Sequence, residues 1–319
     1  MTPKTKSTSP RKKHAAAKRD PRRGLVLAGG AALGAYQGGA LKSLREHHIE
    51  FDIIAATSVG VVHALAWNYG DLILSIEDHW HKNVEQFAPF DLKRLLNLEN
   101  PFRFRHSLNG LFDKYRSGYL SDNRRTQVPI IVSLTEVVSG QNAAFFVTPV
   151  EHLTNASTLT ERENILKAST IIPALGDEPI EIQGRRYYDG GFSNNLPINF
   201  LEDRDLDEIW VIRMLPPYIN KKWKAVARRA VMELRGKTVN PWVLGVTGLA
   251  GQILNPEEAM ARIQTKKIII RPTSRNVMGH LPLIGALTFA HGNIERLLRL
   301  GYEDGRQACE KYKAGQSLL

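Results

Sequence analysis

The sequence predicts an α/β fold built on a mostly parallel central sheet. Three observations carry that expectation. Short apolar runs alternate with helical patterns, beginning at Gly24-Leu25-Val26-Leu27. The first two strand-like runs pass into their helices through tight turns of small residues, Ala28-Gly29-Gly30-Ala31-Ala32-Leu33-Gly34 and Ala56-Thr57-Ser58-Val59-Gly60. A hydrophobic content of 43% over 319 residues is enough to bury a sizeable core.

Gly24 to Leu27 reads as a short buried strand, and a helix is expected from about Ala35 to His47, with Leu41 and Leu44 at helical spacing. A second strand covers 51–56, and a second helix runs from the Ser58 turn to about Tyr69. Asp71 has the chemistry of an N-cap for a further helix through Trp80. Residues 81–125 lack periodicity and mix basic, aromatic and turn residues, including Pro89, Pro101 and Gly110. A long irregular insertion of this kind reads as a lid or binding segment. Val128 to Val138 and Asn142 to Val147 read as strands joined by the turn Ser139-Gly140-Gln141. A helix is expected at about 160–169, ended by Pro173. Two short strands flank Gln183-Gly184, the second ending at Asp189, and Glu208 to Met214 is another buried strand.

Over 221–236, Trp223, Val226, Ala227, Ala230, Val231 and Leu234 form one apolar stripe among lysines and arginines. Packing on the core is the first reading of that stripe, and an interfacial helix on an anionic membrane is the second. Lys266 to Arg271 is a last strand and 293–313 a final helix. The domain plan is therefore a basic tail (1–23), a core (24–214) carrying the insertion, and C-terminal helices with a strand (215–319) completing the same domain.

The net charge of +11 is concentrated at one end. Residues 1–23 hold nine Lys/Arg against one Asp, so the remainder is nearly balanced. The tail is rich in Pro, Ser, Thr and Ala, and disorder is expected there. It reads first as a solubilising extension and second as an electrostatic tether to anionic lipid or nucleic acid, with no specific nucleic-acid partner expected. No apolar run reaches the ~18–20 residues that span a bilayer. The single cysteine, Cys309, excludes an internal disulfide and suits a reducing, cytoplasmic setting, with peripheral contact at the inner face of the membrane.

The chemistry centres on Ser58 and Asp189. A serine on a sharp strand-to-helix turn is how a hydroxyl nucleophile is presented, although a serine there is also a common helix N-cap. Asp189 in Asp189-Gly190-Gly191 is the candidate base, although such a sequence after a strand is also an ordinary turn. As a base, its carboxylate needs burial to bring its pKa toward working pH. The Gly29-Gly30 turn offers backbone amides at a helix start, suited to an anion. Its spacing matches neither the dinucleotide nor the phosphate-loop fingerprint. The histidine-dependent alternative, Ser…Asp…His, would draw on His280 or His291. Asp78, His79 and His81 do not make a metal site, because Asp78 and His79 lie on different sides of a helix.

Together these motifs resemble the patatin-like phospholipase family over roughly residues 24–214, with support from Gly34-Ala35-Tyr36-Gln37, Lys167-Ala168-Ser169 to Pro173 and the run Asp189-Gly190-Gly191-Phe192-Ser193-Asn194-Asn195-Leu196-Pro197. The resemblance implies a three-layer α/β/α fold. It implies acyl-ester hydrolysis of lipids, of the phospholipase A or lysophospholipase type, without cofactor or metal. By carry-over, Ser58 is the nucleophile, Asp189 the base, and the amides of Gly29, Gly30 and Ala31 the oxyanion donors. Three positions depart from the family pattern. Ala31 replaces the third glycine of the loop and is comfortable only if its φ stays negative. Leu33 replaces a basic residue, which admits a neutral ester as substrate. Ala56 replaces the first glycine of the elbow. The alternative these departures support is a lipid-binding or scaffold protein that keeps the fold without turnover.

Overall fold

The computed structural model describes residues 20–83, 128–147, 158–171, 178–214, 260–272 and 290–316. Residues 1–19 of the expected tail, the insertion beyond residue 83, Pro173, the amphipathic stretch 221–236 and His280 lie outside them, whereas the end of the expected tail is built into the domain: Arg23 opens the first strand and the Arg22 amide donates to Asp207 Oδ2 at 2.7 Å. The described elements are β1 (Arg23–Leu27), α1 (Gly34–Glu46), β2 (Ile53–Ala56), α2 (Val59–Asn68), α3 (Gly70–Leu74), α4 (Ile76–Asn83), β3 (Ile130–Glu136), β4 (Asn142–Phe146), α5 (Leu159–Ala168), β5 (Ile180–Ile182), β6 (Arg185–Asp189), β7 (Glu208–Ile212), β8 (Lys266–Ile270) and α6 (His291–Lys313).

The architecture is the expected one: a mixed, mostly parallel sheet flanked by helices. Hydrogen bonding connects the strands as β5-β6-β3-β2-β1-β7-β8, with β4 also on β3. The pairs β1·β2, β1·β7, β2·β3 and β7·β8 are parallel. The central strands are apolar throughout because both faces are covered: Leu25, Val26 and Leu27 of β1, and Ile54, Ala55 and Ala56 of β2, are fully buried.

The register around β3 brings two strand ends together. β4 pairs with β3 over Ile131–Thr135 and so takes one whole edge. β2 and β6 must then share the other edge. β2 runs parallel along the first part, with Ala56 opposite Val132, and β6 runs antiparallel along the last part, with Asp189 opposite Leu134. The two strands therefore point at each other and end head to head.

The helical side is built around a close crossing of α1 and α6. Gly39 and Gly301 lie where the helices touch through their backbones, and a Cβ on Gly301 would collide with the Tyr36 carbonyl. The Tyr36 hydroxyl donates to buried Asp304 at 2.8 Å across the same contact. At the opposite end of the sheet from the strand C-termini, buried Glu208 accepts from Arg23 Nε and the Tyr312 hydroxyl, each at 2.7 Å, tying β1, β7 and α6 together.

One local expectation is corrected. The helix expected from Asp71 through Trp80 is two short helices that meet at Ser75, and the first begins at Gly70 rather than after an Asp71 cap. The helix expected at about 160–169 is present as Leu159–Ala168, behind a capping box: the Thr158 hydroxyl accepts from the Glu161 amide while the Glu161 carboxylate accepts from the Thr158 amide, each at 3.1 Å.

Candidate active site

Ser58 lies just beyond the end of β2 and immediately precedes α2. Its backbone has φ 56 and ψ −129, a left-handed conformation that a side chain rarely adopts without being held there. The hold comes from both sides. The Thr57 amide donates to the Leu27 carbonyl at 3.1 Å, and the Gly60 amide donates back to the Thr57 carbonyl at 2.9 Å. Gly60 is required by close approach: a Cβ there would lie 2.6 Å from the Leu27 oxygen and 3.0 Å from the Ala28 oxygen. Ala56, by contrast, is a regular buried strand residue, and nothing at that position calls for glycine.

The Ser58 side chain makes no capping hydrogen bond to α2. It lies close enough to the carboxyl of Asp189 to pull that group's pKa down. The strand register explains why. Ser58 lies two residues beyond Ala56, which brings it level with Leu134, the partner of Asp189. Asp189 is 4% exposed and also accepts from the Gly191 amide at 2.7 Å, so it caps the turn after β6 as well. Burial pushes its carboxyl up to about 7, against the opposing pull of the Ser58 hydroxyl and the Gly191 amide. A carboxyl near neutrality is a far better proton acceptor than an ordinary aspartate.

The loop between β1 and α1 passes beside Ser58. Here the structure differs from what Ala31 was expected to require: its φ is +47, so the alanine sits in the left-handed region with its methyl group. Leu33, at the position where the resemblance expects a basic residue, is 2% exposed and apolar. Met214, two residues beyond β7, packs on the loop, its Cε 2.8 Å from where a Gly30 Cβ would be. Among the described residues, the amides of Gly30 and Ala31 have no hydrogen-bond acceptor. The Gly29 amide does: it donates to the Asn195 carbonyl at 3.3 Å and to Asn195 Oδ1 at 3.1 Å.

A buried polar chain supports this loop from beneath. Gln37 Nε2 donates to the Ala28 carbonyl at 3.2 Å, and Gln37 Oε1 lies 2.8 Å from His63 Nδ1. With the Gln37 amide group donating to Ala28, its oxygen must accept, so His63 carries its proton on Nδ1. His63 is 1% exposed, and burial, with His79 nearby, pushes it down to about 3. It is a neutral support of the loop. The sequence offers Gln37 only as the end of Gly34-Ala35-Tyr36-Gln37, with no role attached, and does not single out His63. Their signal, two polar residues on otherwise apolar helix faces, emerges only once both helices are known to be buried.

His291 begins α6, and its ring stacks on His81 with centroids 6.0 Å apart. No cluster of three or more His, Cys, Asp or Glu side chains among the described residues could hold a metal ion. No helix among them is long and apolar enough to cross a membrane.

Comparison with known proteins gives a family match. The model of the patatin-like phospholipase family matches residues 25–201, more than half of the chain. No curated protein sequence matches it. Among solved structures, the chain is similar to VipD from Legionella pneumophila, with a TM-score of 0.42 and 12% identity, covering 92% of this chain and 67% of that one. It is also similar to human GIVD cytosolic phospholipase A2, solved in complex with methyl gamma-linolenyl fluorophosphonate, with a TM-score of 0.46 and 16% identity, covering 93% of this chain and 59% of that one.

Proposed function

The chain belongs to the patatin-like phospholipase family, and from that premise we propose that it hydrolyses an acyl ester of a lipid through a covalent acyl-Ser58 intermediate. One observation carries the reading: the side chain of Ser58 leaves the helix start uncapped and meets a buried carboxyl raised to about 7.

In the proposed reaction, Ser58 Oγ attacks the ester carbonyl carbon while its proton passes to the Asp189 carboxylate. The carbonyl oxygen becomes an oxyanion and is received by amides of the Gly29–Ala31 loop, each donor supplying about 2.7–4 kcal/mol. Asp189 then gives the proton to the departing alkoxide as the C–O bond breaks, leaving an acyl-serine. Water attacks that ester with Asp189 again taking a proton, and the proton returns to Ser58 as the fatty acid leaves. His63 takes no part, since its Nδ1 proton is committed to Gln37. The scheme uses no metal or cofactor.

Leu33 bears on the substrate. The apolar side chain beside the loop offers nothing to a phosphate, so a neutral acyl ester is favoured over a charged headgroup at that point. We further propose a cytoplasmic protein that works at a lipid surface, the tail 1–23 or the stretch 221–236 supplying the contact with anionic lipid.

The test is a panel of phospholipid, lysophospholipid, neutral glyceride and p-nitrophenyl esters on the native chain and on Ser58→Ala and Asp189→Asn. Turnover should require both residues, and a fluorophosphonate should label the native chain and spare Ser58→Ala. A second reading, a fold-retaining lipid binder without turnover, draws on the left-handed Ala31 in the oxyanion loop. It wins if the native chain binds vesicles but neither labels nor turns over.

A further inference from the structure

Asn195 meets Gly29 through three hydrogen bonds. The Gly29 amide donates to the Asn195 carbonyl at 3.3 Å and to Oδ1 at 3.1 Å, and Asn195 Nδ2 donates to the Gly29 carbonyl at 3.1 Å. The side-chain amide thus grips both ends of one residue's backbone, one atom accepting and the other donating. Gly29 also lies against the serine: a Cβ built on it would sit 2.5 Å from Asn195 Oδ1 and 2.8 Å from Ser58 Cβ. Only a glycine fits between them.

The loop that carries Asn195 is itself anchored. It starts at Asp189, whose carbonyl accepts from the Thr135 hydroxyl at 2.9 Å. The Asn194 carbonyl accepts from the Thr57 hydroxyl at 3.0 Å and from the Ser133 hydroxyl at 3.1 Å. Asn194 Nδ2 donates to Asn142 Oδ1 at 3.1 Å. The residue before Asn195 is therefore fixed to β3, to β4 and to the turn that presents Ser58. Whatever holds the base also holds the serine turn, and Asn195 extends that hold to the loop after β1.

We propose that Asn195 is a positioning residue for the hydrolysis: it locks Gly29 against the serine turn and withdraws the Gly29 amide from the substrate, so that the oxyanion is received by the amides of Gly30 and Ala31. This deepens the hydrolase reading and rests on it. The lock needs an acceptor and a donor in one planar group, which asparagine supplies. Aspartate has the same shape but no donor, and it would set a carboxylate oxygen against the Gly29 carbonyl, beside the forming oxyanion.

The test uses the full chain with p-nitrophenyl butyrate as substrate and a fluorophosphonate to count working sites. Asn195→Asp and Asn195→Ala are compared with the native chain for kcat and KM per labelled site, and for the pH midpoint of kcat/KM. Expected are a fall of about 10²-fold in kcat per site, as for oxyanion donors displaced by about 1 Å, KM within about twofold, and an unmoved pH midpoint, since the base is untouched. Because kcat is taken per labelled site, partial unfolding of a variant does not imitate this result. Native kcat per site in both variants overturns the inference while leaving the hydrolase reading intact. A higher KM at native kcat, or a shifted midpoint, overturns it equally. A native chain that neither labels nor turns over removes the hydrolase reading and this inference together.

Discussion

The Ser58 hydroxyl lies beside the Asp189 carboxyl, close enough to pull its pKa down, at the place where β2 and β6 end head to head on one edge of β3. Burial holds that carboxyl near 7, and a base works only when ionised. Turnover should therefore fall as the pH drops below about 7, about tenfold per pH unit, and level off above it. A kcat/KM profile on a soluble ester measures this directly. A profile whose acid limb has its midpoint in the usual carboxylate range, near 4, would mean that Asp189 is not the base.

The same burial makes Asp189 a source of instability. Its pKa is raised on folding from 3.8 to about 7, so the folded state holds its proton more tightly than the unfolded chain. The stabilisation from that proton is complete below the unfolded value and is lost as the pH rises through the folded one. At about 1.4 kcal/mol per pH unit, the ionised carboxyl costs the fold about 4 kcal/mol above neutrality. Asp189→Asn removes that cost and keeps an oxygen for the Gly191 amide. Urea unfolding should show the variant to be more stable than the native chain around pH 8 by a few kcal/mol, with the gap narrowing as the pH falls toward 4 and turnover abolished throughout. Equal stability at every pH would show that the carboxyl is not desolvated.

Much of the frame could be read from the residues alone, because the strands at the middle of the sheet are buried on both faces and the first two turns are made of small residues. Ser58 and Asp189 were legible as candidates because each stands at the end of a strand-like run and opens a turn that contains glycine. Their meeting was not legible. It depends on β4 occupying one edge of β3, which forces β2 and β6 onto the other, a non-local pairing that no local pattern encodes. The break at Ser75 was missed because Leu72, Ile73 and Ile76 keep helical spacing across it. Asn195 sat in plain view in its motif, but its role depends on where Gly29 lies in space.

Gly60 sets the distance between the start of α2 and the end of β1. An alanine Cβ there would lie 2.6 Å from the Leu27 oxygen, and a backbone carbonyl cannot swing aside as a side chain can. Gly60→Ala should lower unfolding free energy by about 1–3 kcal/mol, the range for forced overpacking. It should also reduce fluorophosphonate labelling of the folded fraction, since the helix start that moves carries Ser58. Native stability would show that the turn has slack the geometry does not suggest.

Ala31 has a φ of +47, a conformation that costs a residue with a Cβ about 1–2 kcal/mol. Glycine removes that strain but gives up part of the gain through a more flexible unfolded chain, about 0.4–1 kcal/mol. Ala31→Gly should therefore raise stability by up to about 1 kcal/mol, while Ala31→Val, branched at Cβ, should lower it clearly. Thermal unfolding of the two variants beside the native chain decides the matter. Destabilisation by glycine would show that the methyl makes packing contacts worth more than the strain.

His63 offers a check on which buried group titrates. Its ring is 1% exposed and is pushed down to about 3 by burial, with the charge of His79 adding to the effect. The unfolded chain binds a proton at this residue near 6.5, and the folded chain does not until far lower pH. Stability is thus present in full above about 6.5 and is lost as the pH falls toward 3, at up to about 1.4 kcal/mol per pH unit. His63→Phe abolishes that dependence but leaves Gln37 Oε1 without its donor, an unsatisfied buried acceptor costing about 1–3 kcal/mol. Urea unfolding from about pH 4 to 7 should show the variant less stable at neutrality and shallower in its decline with acid by about one proton. The kcat/KM profile should keep its midpoint near 7 in this variant, because that midpoint belongs to Asp189. A midpoint that moves or vanishes with His63 would transfer the role of base to the histidine and undo the assignment of a carboxylate in that role.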